Sequence, residues 1–234
     1  DSEFAGSYNN LGLVLQDQGR FDEAEAQFVI ALERYGAKEG RTHEYAVVLN
    51  SIGTLCFYRS QKDRSFLPKA KAKFEEALKV DPKYPEAHNN LGAVLGIEGK
   101  PADELREYET AVQLEPRYVD ALFNLGKTYF RLGQPEKALE LLRRAVDLNP
   151  RHLMARLLTA NLLWHKGETE AALGMVGSAL EIKADFLPGV ILKEKILTRL
   201  KRLDDAAALI ETALPAHADD RTLLTDLQSL YTTL

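Results

Sequence analysis

The stretch that decides the fold covers residues 124–150 and is written NLGKTYFRLGQPEKALELLRRAVDLNP. In its first half, Leu125, Tyr129 and Leu132 recur at three- and four-residue spacing, which is the period of an amphipathic helix. Residues 133–135, Gly-Gln-Pro, interrupt that helix, and a second apolar face of the same period follows. The closing Asn-Pro pair ends the second helix, because proline disfavours helical geometry before it. The stretch therefore predicts two helices joined by a tight turn.

This pattern recurs along the chain at a spacing of 34 residues. Prolines recur at one place in the pattern, namely Pro82, Pro116 and Pro150. Alanines recur at another, namely Ala77, Ala111, Ala145, Ala179 and Ala213. Gly92 and Gly126 keep the same spacing, and Ala160 continues it. Small residues on facing helices allow two backbones to approach closely. Fixed spacing of this length indicates an array of two-helix repeats.

The count closes at six repeats when insertions are allowed near residues 38–45 and 61–67. The sequence therefore predicts an all-α fold of helix–turn–helix repeats. The predicted repeats cover residues 5–38, 46–84 with an insertion, 85–118, 119–152, 153–186 and 187–220. Residues 1–4 are interpreted as a leader or cloning remnant. Residues 221–234 carry leucines at helical spacing and are predicted to form a capping helix that covers the last apolar face.

The repeats resemble those of the tetratricopeptide family, through the Leu-Gly pair, the alanine in the middle of the repeat and the terminal proline. The resemblance covers residues 5–218 and implies a right-handed α-solenoid that binds proteins. In this family the first helix of each repeat lines a concave groove, with positions two, five, six, nine, twelve and thirteen facing it. One departure concerns the aromatic residue expected at position four. The residues at that position are Tyr8, Leu49, His88, Leu122, Arg156 and Val190.

Composition excludes several classes of function. The formal net charge is −5, so no overall positive field attracts nucleic acid. No apolar run approaches the ~18 residues of a membrane span, so we expect no membrane insertion. The single cysteine, Cys56, falls at an inward apolar position, and the histidines lack metal-ligand spacing. We therefore expect no catalytic residues, no metal, no cofactor and no enzyme activity.

Asparagines dominate the predicted groove in the first half of the chain. Their amides carry donors and an acceptor and can bind the backbone of an extended peptide. They are Asn9, Asn10, Asn50, Asn89, Asn90 and Asn124. This row resembles the asparagine ladder of O-linked N-acetylglucosamine transferase superhelices. The alternative is that these asparagines are partly structural.

Basic residues occupy the predicted groove in the second half. Positions nine and thirteen lie on one side of a helix, because they are four residues apart. They hold Lys127 and Arg131, then Asn161 and His165, then Lys195 and Arg199. We call these six residues the basic row and expect it to bind an acidic segment or a C-terminal carboxylate. A solvated basic face is the alternative.

Trp164 is the only tryptophan and the best candidate for an anchor of a partner side chain. The sequence thus predicts an interaction scaffold that binds an extended, acidic peptide or protein segment. Two alternatives stay open, namely a self-assembling structural scaffold and the substrate-recognition domain of a larger enzyme such as a glycosyltransferase. A homo-oligomer is compatible with either. A cytoplasmic location is favoured, and a periplasmic one requires that a signal peptide was removed.

Overall fold

The computed structural model describes residues 4–36 and 42–217, together with Arg221, Thr225 and Ser229. Over these residues every regular element is helical, which confirms the all-α class. The α-helices are α1 Ala5–Asp17, α2 Phe21–Gly36, α3 His43–Ser60, α4 Leu67–Val80, α5 Pro85–Ile97, α6 Pro101–Leu114, α7 Val119–Arg131, α8 Pro135–Leu148, α9 Leu153–His165, α10 Thr169–Ile182, α11 Leu187–Arg199 and α12 Leu203–Ala213. One-turn 3-10 helices cover Arg64–Phe66 and Leu214–Ala216.

The chain divides into two compact units, residues 1–125 (unit 1) and 126–234 (unit 2). Helix α3 begins at His43, within the first predicted insertion, where His43 Nδ1 lies 2.6 Å from Asp81 Oδ2. The second insertion contains the 3-10 turn Arg64–Phe66, capped by Asp63, which accepts a hydrogen bond from the Ser65 amide. Most of the predicted leader and capping helix, and residues 37–41, lie outside the described residues. The division into six repeats stays a prediction.

In four of the helix pairs that the structure describes, the turn between the two helices contains a glycine with a left-handed backbone. Gly19, Gly99, Gly133 and Gly167 have φ between 72° and 85°, a region that glycine enters without steric cost. Around Gly133, the amide of Gln134 donates to the carbonyl of Tyr129, which closes the end of α7. The helix break predicted from Gly-Gln-Pro therefore has this backbone geometry as its cause.

The glycines of the first helices lie against large side chains of the paired second helix. A Cβ placed on Gly12 or Gly53 would lie 2.5 Å from a ring carbon of Phe28 or Phe74. Gly92 has the same relation to Tyr108 at 2.8 Å, and a Cβ on Gly126 would lie 2.9 Å from Leu142 Cγ. The sequence argument paired these glycines with the alanine row, and that pairing is wrong. In unit 1, Ala77 instead packs in a cluster with Ala46, Leu49, Tyr84 and Ala87.

Two polar residues at position four, His88 and Arg156, form hydrogen bonds to neighbouring elements. His88 Nδ1 lies 2.7 Å from Glu107 Oε2, and its Nε2 lies 3.0 Å from the Pro82 carbonyl oxygen. Arg156 stands at the same place two repeats later. Its Nε donates to the carbonyl six residues before it, at 2.6 Å, and its Nη1 donates to Ser178 Oγ. Both side chains thus tie a first helix to the preceding turn and to the second helix.

The packing predicts a steric conflict in unit 1. Gly53→Ala would press a methyl group against the Phe74 ring, which is 1% exposed and has no room to move. Overpacking of this kind lowers the free energy of unfolding by about 2 kcal/mol. Urea denaturation followed by circular dichroism measures the loss. Ala160 and Val176 occupy the places of Gly53 and Phe74 in a later repeat. We therefore expect the double variant Gly53→Ala/Phe74→Val to lose about 1 kcal/mol less free energy of unfolding than the two single variants lose together. Strict additivity would contradict this account.

The environment of His88 predicts a pH-dependent stability. Burial alone would lower the pKa of His88, but the hydrogen bonds to Glu107 and to the Pro82 carbonyl, with the charges of Glu107 and Asp81, raise it above 6.5. A raised folded-state pKa stabilises the fold below pH 6.5, and this stabilisation is lost as pH rises through the folded-state pKa. We therefore expect the urea midpoint of the wild type to fall between pH 6 and pH 8.5 by more than that of His88→Gln. Equal pH dependence in both proteins would refute this.

Candidate functional site

The predicted asparagine row lies on α1, α3, α5 and α7 within unit 1. Asn9 and Asn89 are buried, at 7% and 6% exposure. Asn50, Asn90 and Asn124 are half-buried, and Asn10 is exposed. The row is therefore placed at the boundary between the helix packing and the solvent.

The asparagine amides bind one another across neighbouring first helices. Asn90 Nδ2 donates to Asn50 Oδ1 at 2.9 Å, and Asn124 Nδ2 donates to Asn89 Oδ1 at 3.0 Å. In each case the sixth residue of one repeat donates to the fifth residue of the repeat before it. Asn89 Nδ2 also lies 3.5 Å from Asn90 Oδ1, at the limit of a hydrogen bond. These contacts link α3, α5 and α7 through their side chains.

Two tyrosines complete this polar chain. Asn50 hydrogen-bonds to the phenol of Tyr84, and Asn89 hydrogen-bonds to that of Tyr118. Burial, with the nearby Glu86 carboxylate, raises the pKa of Tyr84 to about 12, so its hydroxyl stays protonated. Burial likewise raises the pKa of Tyr118. Asn50 and Asn89 are therefore committed to neighbours, while Asn90 and Asn124, which donate to them, are half-buried.

The same register is incomplete between α1 and α3. Asn9 Oδ1 is buried without a hydrogen-bond partner in the described part of the chain. The sixth residue of the next repeat is Ser51, whose hydroxyl donates to the Val47 carbonyl of its own helix at 3.1 Å. A serine is shorter than an asparagine, so the donor that Asn90 and Asn124 supply elsewhere is missing here.

The basic row lies on α7, α9 and α11. Lys127, Arg131, His165, Lys195 and Arg199 are exposed, and Asn161 is half-buried. Within unit 2 the structure brings Asn161, Lys195 and the half-buried Trp164 together around one cavity of about 400 Å³ between α9 and α11. Lys127, Arg131 and Arg199 do not line it.

His165 lines a different cavity, of about 470 Å³, at the ends of α7, α8 and α9. Phe130, Leu139 and Leu162 form its apolar wall, with Lys166 beside His165. The residues of the basic row therefore do not line one common cavity: Asn161 and Lys195 line one, and His165 lines another.

The floor of the cavity that Asn161 and Lys195 line is formed by residues for which the sequence predicted no binding role. They are Leu157, Leu187, Pro188, Ile191 and Leu192. Leu157 and Leu192 hold the fifth and sixth positions of consecutive repeats, where unit 1 has asparagines. A change from amide to leucine at these places was visible in the sequence and was the signal of the cavity.

The rest of the described chain offers little for chemistry. Burial raises the pKa of the Cys56 thiol, which disfavours the reactive thiolate. Over residues 4–36 and 42–217, no three His, Cys, Asp or Glu side chains converge as metal ligands would. Among the helices of these residues, none has the length and apolar character needed to cross a bilayer.

Helix pairs of this length, with left-handed glycine turns and glycines packed against large side chains, define an α-helical repeat protein of the solenoid class. Family models described as tetratricopeptide repeat match residues 3–83, 73–106, 98–150 and 123–186. Together these matches cover well over half of the chain. The chain belongs to the tetratricopeptide repeat family.

Solved structures show the same fold. PilF of Pseudomonas aeruginosa is similar with a TM-score of 0.78 and 18% identity, over 99% of this chain and 98% of PilF. YrrB, described as a tetratricopeptide protein with an unusual peptide-binding site, is similar with a TM-score of 0.64 and 21% identity, over 86% of this chain and 96% of YrrB. A tetratricopeptide protein of Thermus thermophilus is similar with a TM-score of 0.59 and 24% identity, over 80% and 99% of the two chains.

No sequence among the curated proteins matches the chain significantly. Tetratricopeptide proteins mediate protein–protein interactions and are generally non-catalytic scaffolds. The family therefore assigns this chain the general role of an interaction protein.

The unpartnered Asn9 oxygen predicts a stabilising substitution. Ser51→Asn would place an amide donor where Asn90 and Asn124 have theirs. Since Asn9 Oδ1 is buried without a partner in the described part of the chain, the new hydrogen bond should raise the free energy of unfolding by about 1 kcal/mol. Urea denaturation measures the gain. In an Asn9→Leu background the acceptor is gone, so the gain should vanish; a gain that persists there would show that the bond is not its cause.

Proposed function

We propose that this chain is a non-enzymatic interaction scaffold that holds an extended, acidic peptide segment on the faces of its first helices. The observation that carries the proposal is the convergence of Asn161, Trp164 and Lys195 around one cavity with an apolar floor. An apolar cavity with a few polar groups at its edge is the usual form of a ligand site.

The acidic character of the ligand follows from the charges of unit 2. Lys195 and Arg199 are exposed on the same side of α11, and neither forms an ion pair with the residues that the structure describes. Lysine and arginine bind carboxylates through charge-assisted hydrogen bonds, which are stronger than bonds between neutral groups. An acidic segment would satisfy both side chains.

The asparagines of unit 1 support the extended form of the ligand. Asn50 and Asn89 are held by their neighbours, and these bonds orient Asn90 and Asn124 before any ligand arrives. Amides of this kind can bind peptide N–H and C=O groups without regard to side chains. Because the groups are already ordered, binding costs less side-chain entropy.

A second candidate, self-association, has one observation in its favour. Leu11 and Val14 on α1 are 46% and 51% exposed. The residues at the same places on α3, Ile52 and Leu55, are 7% and 1% exposed. The exposed apolar face of α1 is therefore a surface that a second copy could cover.

Selection from a random peptide library displayed on phage tests the proposed function. We expect the recovered peptides to be enriched in Asp and Glu. Lys195→Glu/Arg199→Glu should weaken the best peptide at least about tenfold, because each lost charge-assisted bond is worth about 1.5–3 kcal/mol. The matched control is Arg143→Glu/Lys183→Glu, which makes the same change in net charge at exposed residues away from the cavity.

Equal weakening by both double variants would mean that overall charge, not the site, drives binding. Recovered peptides without acidic enrichment would contradict the proposal. If the chain also dimerised in sedimentation velocity, and Leu11→Glu abolished the dimer, self-association would replace peptide binding as the leading function.

A further inference from the structure

The register that links asparagines in unit 1 changes its chemistry in unit 2. From α3 to α7, the fifth residue of one repeat accepts a hydrogen bond from the sixth residue of the next, as Asn50 does from Asn90. The corresponding residues of α9 and α11 are Leu157 and Leu192. Two leucines cannot form this bond, and both line the cavity between the two helices. The place that holds polar cross-links in unit 1 is thus an apolar recess in unit 2.

The recess has the size and lining of a side-chain binding site. Its volume is about 400 Å³, within the range of ~300–1,000 Å³ found for small-ligand sites. Leu157, Ile191 and Leu192 provide aliphatic walls, and the Trp164 indole adds a flat aromatic surface. Such a surface favours a large apolar side chain, because the gain in free energy grows with the apolar area removed from water.

Apart from the indole N–H of Trp164, the polar side chains of the recess are Asn161 on α9 and Lys195 on α11. Lys195 is exposed and carries a positive charge, and no carboxylate of the described residues is bonded to it. A ligand that inserted an apolar side chain would therefore bring its neighbouring residues next to this ammonium group. Charge complementarity requires a carboxylate there.

We propose that the recess selects a large apolar side chain flanked by acidic residues, so that the ligand of unit 2 is recognised by side-chain identity rather than by its backbone alone. This inference rests on the proposed function and specifies the ligand chemistry of the same site. Burial of a large apolar side chain stabilises a complex by about 1.5–3 kcal/mol, which corresponds to about tenfold or more in affinity.

Intrinsic fluorescence tests the proposal directly, because Trp164 is the only tryptophan and lines the recess. The probes are three peptides with blocked ends, EEFEE, EEAEE and KKFKK. We expect EEFEE to change the Trp164 emission in a saturable way and to bind at least about tenfold more tightly than EEAEE. We expect KKFKK not to bind, because Lys195 repels it.

Variants of the recess separate its role from that of charge. Leu157 is half-buried, and Leu157→Asn copies the residue at the same place in unit 1. This change should reduce the preference for EEFEE over EEAEE to less than about twofold. Leu157→Ala removes the apolar contact without adding a polar group and serves if the first variant is unstable. Met154→Asn, on the same helix and 47% exposed outside the recess, is the matched control and should keep the preference.

The outcomes distinguish this inference from the proposed function. Equal affinities for EEFEE and EEAEE would overturn the selection of an apolar side chain, while acidic binding would stand. Equal affinities for EEFEE and KKFKK would overturn the acidic flank. If neither acidic peptide bound, both the specificity proposed for the recess and the acidic groove that it rests on would be wrong.

Discussion

The close contact between a small residue of the first helix and a large side chain of its partner is the constraint on which the structure depends. Gly12 and Gly53 lie directly against the rings of Phe28 and Phe74. In unit 2 the large side chain is smaller than a ring, since Gly126 lies against Leu142. This contact sets the distance between paired helices. First helices at a regular spacing can then place asparagines within 3.0 Å of one another, as Asn124 and Asn89 are.

The sequence predicted the helices and their breaks well, because both are local properties. Proline and left-handed glycine act on their own neighbours, so the turn at Gly133 follows from three consecutive residues. Contacts across helices were harder to predict. The partner of Gly53 is Phe74 rather than an alanine, since side-chain direction decides which residues meet. His88 and Arg156 looked like departures from a family pattern in the sequence, but each binds the carbonyl of the residue six positions earlier.

The same distinction between local and non-local information applies to the prediction of the candidate site. Residue type and spacing were enough to nominate Asn161, Trp164 and Lys195, which do share a cavity. The bonds among the asparagines of unit 1 could not be predicted, because they join residues 35 and 40 positions apart. These bonds show that some amides of the asparagine row have a structural role and orient the others. Unit 2 replaces this polar register with leucines and adds cations, so the two units offer ligands different chemistry.

The central claim is that the recess between α9 and α11 receives the ligand. The most direct measurement is a ¹H–¹⁵N correlation spectrum of the labelled chain during titration with the peptide EEFEE. A chain with one tryptophan gives one indole Nε1–H signal, which belongs to Trp164. The account predicts that this signal and the side-chain amide signal of Asn161 shift together and saturate. Saturable shifts confined to the second helices, with the indole signal unchanged, would contradict it.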